Sequence, residues 1–115
     1  MLDMGGNPLT AGTVYLGWSY GQPVTVLNRG PLTVTSLYVG NAALDLGASD
    51  TVTNFSLSNG TSTLYSPVSS LALSNNSQAT TTASGGVTGT VTVYGSSTLT
   101  LGAPMTISGQ LDAEQ

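Results

Sequence analysis

The chain has 115 residues, which is the size of one domain, and only six of them are charged: five carboxylates and Arg29. With no Lys, His or Cys, it lacks a basic surface for nucleic acid or anionic lipid, the usual general base, and thiolate or imidazole metal ligands. The composition therefore predicts a non-enzymatic structural protein without a cofactor, which binds neither nucleic acid nor membrane.

The apolar fraction of 39% and the low charge favour a folded chain over a disordered one. We expect an N-terminal arm at residues 1–11, a single β domain at residues 12–110 and a C-terminal tail at residues 111–115. The first residues contain no cation and no long apolar run, so the sequence shows neither a secretory leader nor a membrane span. Either the protein is used without export, or a leader has been removed.

The first elements in chain order are strands at residues 12–20, 22–28 and 31–39. A turn signal at residues 28–31 separates the second strand from the third. Apolar residues alternate with polar ones in all three, which is typical of half-buried strands. The alternation shifts by one residue between Val34 and Leu37, which predicts a bulge or a change of sheet at that point.

The middle of the chain predicts short strands at residues 51–57, 62–66 and 69–74. Asn59 and Gly60 form a dipeptide typical of a tight hairpin. Residues 75–86, rich in Thr and Ser, are interpreted as an exposed loop, a frayed edge strand or a flexible linker.

Strict alternation returns at residues 87–94, 98–101 and 105–108. About eight short strands with frequent turn signals predict an all-β protein: an antiparallel β-sandwich or barrel, Ig-like or jelly-roll-like, with extended terminal arms. The predicted core consists of Val14, Leu16, Trp18, Val24, Val26, Leu32, Val34, Leu37, Val39, Val91, Val93, Leu99, Leu101 and Ile107.

Carboxylates offer two candidate chemistries. Asp45 and Asp50, with Ser49 between them, could contribute oxygen ligands to Ca²⁺, although turn residues that bond their own backbone are the favoured interpretation. Two-carboxylate glycoside hydrolysis would draw on the same pair, on Asp3, or on Asp112 and Glu114. It is disfavoured because a terminal tail is a poor place to preorganise a site.

Aromatic and polar side chains suggest binding surfaces. Tyr15, Trp18 and Tyr20 could stack on a carbohydrate, although a core anchor with flanking interface tyrosines is favoured. Three sequons begin at Asn54, Asn59 and Asn75 and would matter only in an exported protein. The residues predicted to contact other subunits are Met1, Leu2, Met4, Leu9, Tyr15, Tyr20, Arg29 and Leu111.

Two segments resemble known families. Residues 24–39 resemble the strand–turn–strand pattern of Ig-like sandwiches and the globular domains of archaeal pilins, although the long apolar N-terminal helix of pilins is missing. Residues 89–109, with Gly95-Ser96-Ser97-Thr98-Leu99-Thr100-Leu101-Gly102, resemble a coil of the repetitive β-solenoid of bacterial adhesins. Only one or two coils would fit there, and a stable solenoid needs about three.

By size, composition and expected architecture, the whole chain resembles the decoration or cement proteins of tailed-phage capsids. That resemblance implies a virion protein that binds the major capsid protein or other virion subunits and forms a homo-oligomer, with a trimer favoured. The alternatives are an extracellular filament or surface-layer subunit, with sugars on its sequons, and a small carbohydrate-binding module.

Overall fold

The computed structural model describes residues 1–17 and 23–114 and shows a parallel β-solenoid of about five turns. The all-β prediction is confirmed, but the antiparallel sandwich or barrel is wrong because every strand pair in the described chain is parallel. The strands are β1 (Leu2–Asp3), β2 (Leu9–Leu16), β3 (Val26–Leu27), β4 (Leu32–Gly40), β5 (Thr51–Ser58), β6 (Thr61–Leu64), β7 (Val68–Ser74), β8 (Gln78–Thr81), β9 (Val87–Tyr94), β10 (Thr98–Leu101) and β11 (Leu111–Glu114).

Six strands form one long face in the order β2-β4-β5-β7-β9-β11. Each strand lies beside the next of the set, one coil further along the chain. Leu9 is opposite Leu32, 23 residues later, whereas Asn54 is opposite Ser70, only 16 residues later. The coils therefore vary in length while the pairing stays parallel.

A short face made of β6, β8 and β10 runs beside the long face. Isolated bridges from Ala43 to Thr61 and from Leu46 to Leu64 extend it by one coil toward the N-terminus. β1 and β3 form a further parallel pair in the first coils, with Leu2 opposite Val26.

Two ladders of apolar side chains run through the interior and supply about half of the buried apolar residues. In each ladder, residues at matching positions of the six long-face strands lie one above another. The first inner ladder is Val14, Leu37, Phe55, Leu71, Val91 and Leu111. The second inner ladder is Leu16, Val39, Leu57, Leu73, Val93 and Ala113.

The shift in alternation noticed between Val34 and Leu37 recurs from coil to coil. Val52 and Phe55 are both buried with two exposed residues between them, and so are Val68 and Leu71 with Ser69 and Ser70 between them, one exposed and one half-buried. Pairing along the β4–β5 ladder skips Thr35, which lies inside the shift. The feature is therefore a repeated element of the coil.

A residue with positive φ follows β2, β4, β5, β7 and β9. The first and last are Gly17 and Gly95, and the three between them are Asn41, Asn59 and Asn75, with φ of 52°, 52° and 54°. Asparagine tolerates this left-handed conformation better than other residues with a side chain. The hairpin prediction at Asn59 and Gly60 is wrong, because the turn leads from β5 on the long face to β6 on the short face.

Several local predictions need correction. The stretch 75–86 contains β8, and residues 105–108 form no strand. The predicted arm and tail regions contain β1, the start of β2, and β11. Of the predicted core, Leu101 is exposed, and the core contribution from the middle of the chain was missed: Leu44, Leu46, Val52, Phe55, Leu57, Leu64, Val68, Leu71, Leu73, Ala79 and Val87.

Trp18 lies outside the described residues. The remaining predicted core residues are buried (Leu16, Leu32, Val34, Leu37, Val39, Val91) or partly buried against the core (Val14, Val24, Val26, Val93, Leu99, Ile107). Over residues 1–17 and 23–114, no helix is long and apolar enough to cross a membrane.

Candidate functional site: the two ends of the solenoid

The last coil leaves the interior of the solenoid open. Leu111 and Ala113 are the final members of the inner ladders, and no described strand covers them. Leu111 is therefore 62% exposed although its ladder partner Val91 is fully buried. Parallel sheets in proteins are normally covered on all apolar sides, so this opening is unusual.

The short face ends in the same way. Leu99 and Leu101 lie beside Ala79 and Thr81, which are buried, yet Leu101 is 53% exposed. Together the two faces form the C-terminal groove, an apolar depression of about 310 Å³. Its lining residues are Val93, Leu99, Leu101, Met105, Leu111 and Ala113.

The first coil forms the opposite end. β2 is the last strand of the long face on that side, and within the described residues it pairs only with β4. Beside it lies the N-terminal groove, of about 200 Å³. The N-terminal groove is lined by Leu2, Asp3, Met4, Asn7, Pro8 and Leu9.

The residues predicted to contact other subunits fall mainly at these two ends. Met1, Leu2, Met4, Leu9 and Tyr15 all belong to the first coil, and Leu2, Met4 and Leu9 pack partly against the core. Leu111 lies at the other end, and Tyr20 lies outside the described residues.

Arg29 is paired inside the chain. Its guanidinium forms an ion pair with Asp50, whose side chain is 1% exposed, and its Nη2 also donates to the backbone carbonyl of Asp45 at 3.0 Å. The Asp50 carboxylate accepts two further hydrogen bonds, from Leu32 N at 2.8 Å and from Gly47 N at 2.7 Å. This arrangement ties residues 29–32 to residues 45–50.

The two aspartates considered for Ca²⁺ have separate partners. Asp50 binds Arg29 and backbone amides, whereas the Asp45 carboxylate accepts a hydrogen bond from Thr63 N at 2.8 Å. Within the described residues, no three His, Cys, Asp or Glu side chains are grouped so as to hold a metal ion. The favoured interpretation, turn residues that bond their own backbone, fits only the contact of Asp50 with Gly47 N. The other amide donors, Leu32 N and Thr63 N, lie 18 residues away along the chain, and Asp50 is buried against Arg29.

Asp3 organises the turn of the first coil. The side chain of Asn28 and the backbone N–H of Gly5 each donate to its carboxylate at 2.9 Å, and they lower the pKa of Asp3 below its usual value. Asp112 and Glu114 lie on β11 at the opposite end. The carboxylates considered for glycoside hydrolysis are therefore divided between the ends and the middle of the solenoid.

Tyr15 is stacked on a second tyrosine of the neighbouring strand. Its ring is stacked on that of Tyr38, with centroids 4.7 Å apart and planes 9° from parallel. Tyr15 remains 61% exposed because it lies on the edge strand. Trp18 and Tyr20, its partners in the carbohydrate hypothesis, lie outside the described residues.

The sequon asparagines take part in hydrogen bonds between coils. Asn59 Nδ2 donates to Asn41 Oδ1 at 2.7 Å, and Asn75 Nδ2 donates to Ser58 Oγ at 2.8 Å. Asn54 Nδ2 donates to Ser36 Oγ at 3.4 Å, and Asn54 Oδ1 accepts from Ser70 Oγ at 2.8 Å. A sugar on any of these nitrogens would leave one N–H and would have to be accommodated beside a hydrogen bond that joins two coils.

Comparison of the chain with protein-family models, with curated proteins and with solved structures finds no match.

Proposed function

We propose that the protein is a non-enzymatic structural subunit that forms a segment of an elongated β-solenoid assembly on the surface of a virus particle or a cell. The observation that carries the proposal is the open last coil, where Leu111 of the long face and Leu101 of the short face are exposed although their partners in the preceding coil, Val91 and Thr81, are buried. Large exposed apolar patches in proteins generally mark surfaces that a partner covers.

The composition supports a structural role. The outer positions of the coils carry mainly Thr, Ser and Asn, and asparagine and serine side chains join neighbouring coils by uncharged hydrogen bonds. Such bonds depend little on salt or on pH near neutrality. The lack of His, Lys and Cys leaves few groups for acid–base or nucleophilic chemistry.

The solenoid changes the form of assembly that we expect. A compact trimer buries the sides of its subunits, whereas the apolar openings here are at the two ends of the solenoid. An extended fibre, sheath or stalk therefore fits the geometry better than a compact cap. The proposal covers both the virion and the filament forms that the sequence suggests.

Quantitative mass spectrometry combined with immunogold labelling of purified particles and of cell envelopes from the source organism tests this proposal. A structural subunit should occur in numbers comparable to those of the major structural proteins, with gold on the particle or cell surface. Labelling of particles indicates a virion subunit, and labelling of envelopes indicates a filament or surface layer. Recovery mainly as a scarce component of the soluble fraction would contradict the proposal.

A further inference from the structure

The open C-terminal coil has a specific geometric requirement. Leu111 and Ala113 are the last rungs of two inner ladders whose other rungs are spaced by parallel pairing. Adjacent strands in a sheet lie about 4.8 Å apart. What completes these ladders is a strand that runs parallel to β11 and carries apolar side chains at two positions separated by one residue.

The N-terminal end of the same chain offers such a strand. β2 carries Val14 and Leu16, the first rungs of the same two ladders, and its other edge has no partner within the described residues. Edge strands are usually guarded by Lys or by inward-pointing charges. No Lys guards this edge, since the chain contains none, and no charged residue occurs in β2.

The charged residues at the two ends do not oppose pairing of β11 with β2 of another copy. Continuing the ladders by one step would place Leu111 against Val14 and Ala113 against Leu16 of the next copy. At the outward positions of β11, Asp112 would lie opposite Tyr15, and Glu114 would lie opposite Gly17. Neither carboxylate would meet another carboxylate directly, so no like charges oppose each other across the junction.

We propose that copies of the chain stack head to tail, with β11 of one copy pairing in parallel with β2 of the next in the register that the chain already uses five times. The inference rests on the proposed structural function and names its partner as a second copy. The two surfaces that meet are different, so the contact is heterologous and leaves a free end after each addition. The product is an open-ended rod, and its growth depends on protein concentration.

Disulfide trapping tests the register, because the chain contains no Cys of its own. Tyr15→Cys and Asp112→Cys place one thiol at each end, at positions that the proposed register puts opposite each other. Neighbouring strands bring Cα atoms within the range that a disulfide spans. A mixture of the two variants under mild oxidation should yield a covalent dimer in severalfold larger amounts than either variant alone.

A matched control uses Tyr65, which is exposed like Tyr15 but lies just after β6, in the middle of the solenoid. Tyr65→Cys mixed with Asp112→Cys should give only background cross-linking. Efficient self-cross-linking of Asp112→Cys would indicate a symmetric contact between two C-terminal ends and would overturn the proposal. Equal yields with Tyr15→Cys and Tyr65→Cys would overturn it as well.

Sedimentation velocity gives an independent measurement. The unmodified chain should form larger species as its concentration rises, and Leu111→Arg should shift it to monomer while leaving the circular dichroism spectrum unchanged. Leu111 is mostly exposed, so this replacement should not disturb the fold. Tyr65→Arg should sediment like the unmodified chain.

A monomer at every concentration, or a closed trimer unaffected by Leu111→Arg, would overturn head-to-tail stacking. Either result would also remove the self-assembled form of the elongated structure, whereas the structural role on a particle or cell surface is tested separately by the abundance and labelling of the native protein. Conversely, stacking in solution by a protein that is scarce and soluble in its source would support the contact and contradict the function.

Discussion

The carboxylate of Asp50 accepts from three donors, two in residues 29–32 and one in its own turn. Arg29, Leu32 N and Gly47 N all bond to it, and its side chain is almost completely buried. Removing one partner of a buried charge pair is strongly destabilising, because the other charge and its backbone donors remain without compensation.

We therefore expect Asp50→Ala to lower the free energy of unfolding by about 3 kcal/mol. Asp45→Ala is the matched control, since that carboxylate is exposed and accepts one hydrogen bond, from Thr63 N. Its effect should stay below about 1 kcal/mol. Urea denaturation measures both. Equal losses of unfolding free energy in the two variants would show that the buried ion pair stabilises the fold no more than an exposed hydrogen bond does.

The asparagine turns make a second residue-level prediction. Asn59 has a φ of 52°, which a β-branched side chain adopts only with strain. Asn59→Val should destabilise the protein by about 1–2 kcal/mol more than Asn59→Gly, because glycine adopts this φ freely.

The same replacement at Asn54 is the control for backbone conformation. Asn54 is also an exposed asparagine with hydrogen bonds to the next coil, but it lies within β5, where valine fits. Asn54→Val should therefore have a smaller effect than Asn59→Val in the same urea titration. The opposite order would mean that the turn conformation is not what selects asparagine.

At the level of the strand, burial depends on the position of a coil in the stack as well as on the residue. Leu71 and Leu111 belong to the same inner ladder, yet Leu71 is 2% exposed and Leu111 is 62% exposed. Leu71→Ala should lower the free energy of unfolding by about 3 kcal/mol, within the range for buried leucines. Leu111→Ala should change it by less than about 0.5 kcal/mol.

These two unfolding measurements should be made at a concentration where the protein is monomeric. If Leu111→Ala were as destabilising as Leu71→Ala in the monomer, then the last coil would be covered by part of the chain itself. The C-terminal groove would not then be an open surface.

The sequence was sufficient to predict strands but not their pairing. Alternation of apolar and polar residues at 87–94 or 98–101 looks the same in an antiparallel sandwich and in a parallel solenoid, because both bury one face of each strand. Whether neighbouring strands pair in parallel or antiparallel depends on where the chain goes after each turn. Asn59-Gly60 was therefore interpreted as a hairpin, although it turns the chain from one face to another.

A repeat in the sequence contained the missing information. Val, two polar residues, a large apolar residue, one residue, Leu or Val, one residue and Asn occur in that order at residues 34–41, 52–59 and 68–75. The adhesin-like coil predicted at residues 89–109 was limited to that segment, whereas the repeat extends the same architecture toward the N-terminus. The variable coil lengths weaken the period and hide it from inspection of single strands.

The open ends could be predicted only in part. Leu2, Leu9 and Leu111 are predicted at an interface because they belong to the terminal arms, and Tyr15 because tyrosine is enriched at subunit interfaces. Their division between two opposite ends follows from the strand order, which the sequence pattern did not supply. The intramolecular pairing of Arg29 with Asp50 likewise requires knowing that residues 29 and 50 lie on adjacent coils.

At the level of the whole molecule, each coil contacts mainly the coils before and after it. The free energy of unfolding is then close to the sum of one contribution from each coil and one from each contact between neighbouring coils. Duplicating residues 54–69, one complete 16-residue coil between Asn54 and its partner Ser70, should preserve the fold and raise the urea midpoint. Circular dichroism and urea denaturation of the longer chain measure both effects.

Duplication of residues 54–61 is the control, because half a coil would put long-face residues on the short face. That variant should lose stability or fail to fold. If both duplications were equally tolerated, the molecule would not behave as a stack of interchangeable coils.

The Arg29 pair has a consequence for proteolysis. Trypsin cleaves after Lys or Arg, so the Arg29–Gly30 bond is its single target in this sequence. Arg29 is held by Asp50, and Gly30 is buried so closely that a Cβ there would lie 2.1 Å from the carbonyl oxygen of Asn7. The native protein should resist trypsin. In urea, trypsin should cut the chain into fragments 1–29 and 30–115, and the rate of cleavage should report the opening of the first coils. A molecule built this way would resist proteases that cleave after Lys or Arg without needing a disulfide, because it has a single such bond and that bond is closed off in the folded chain.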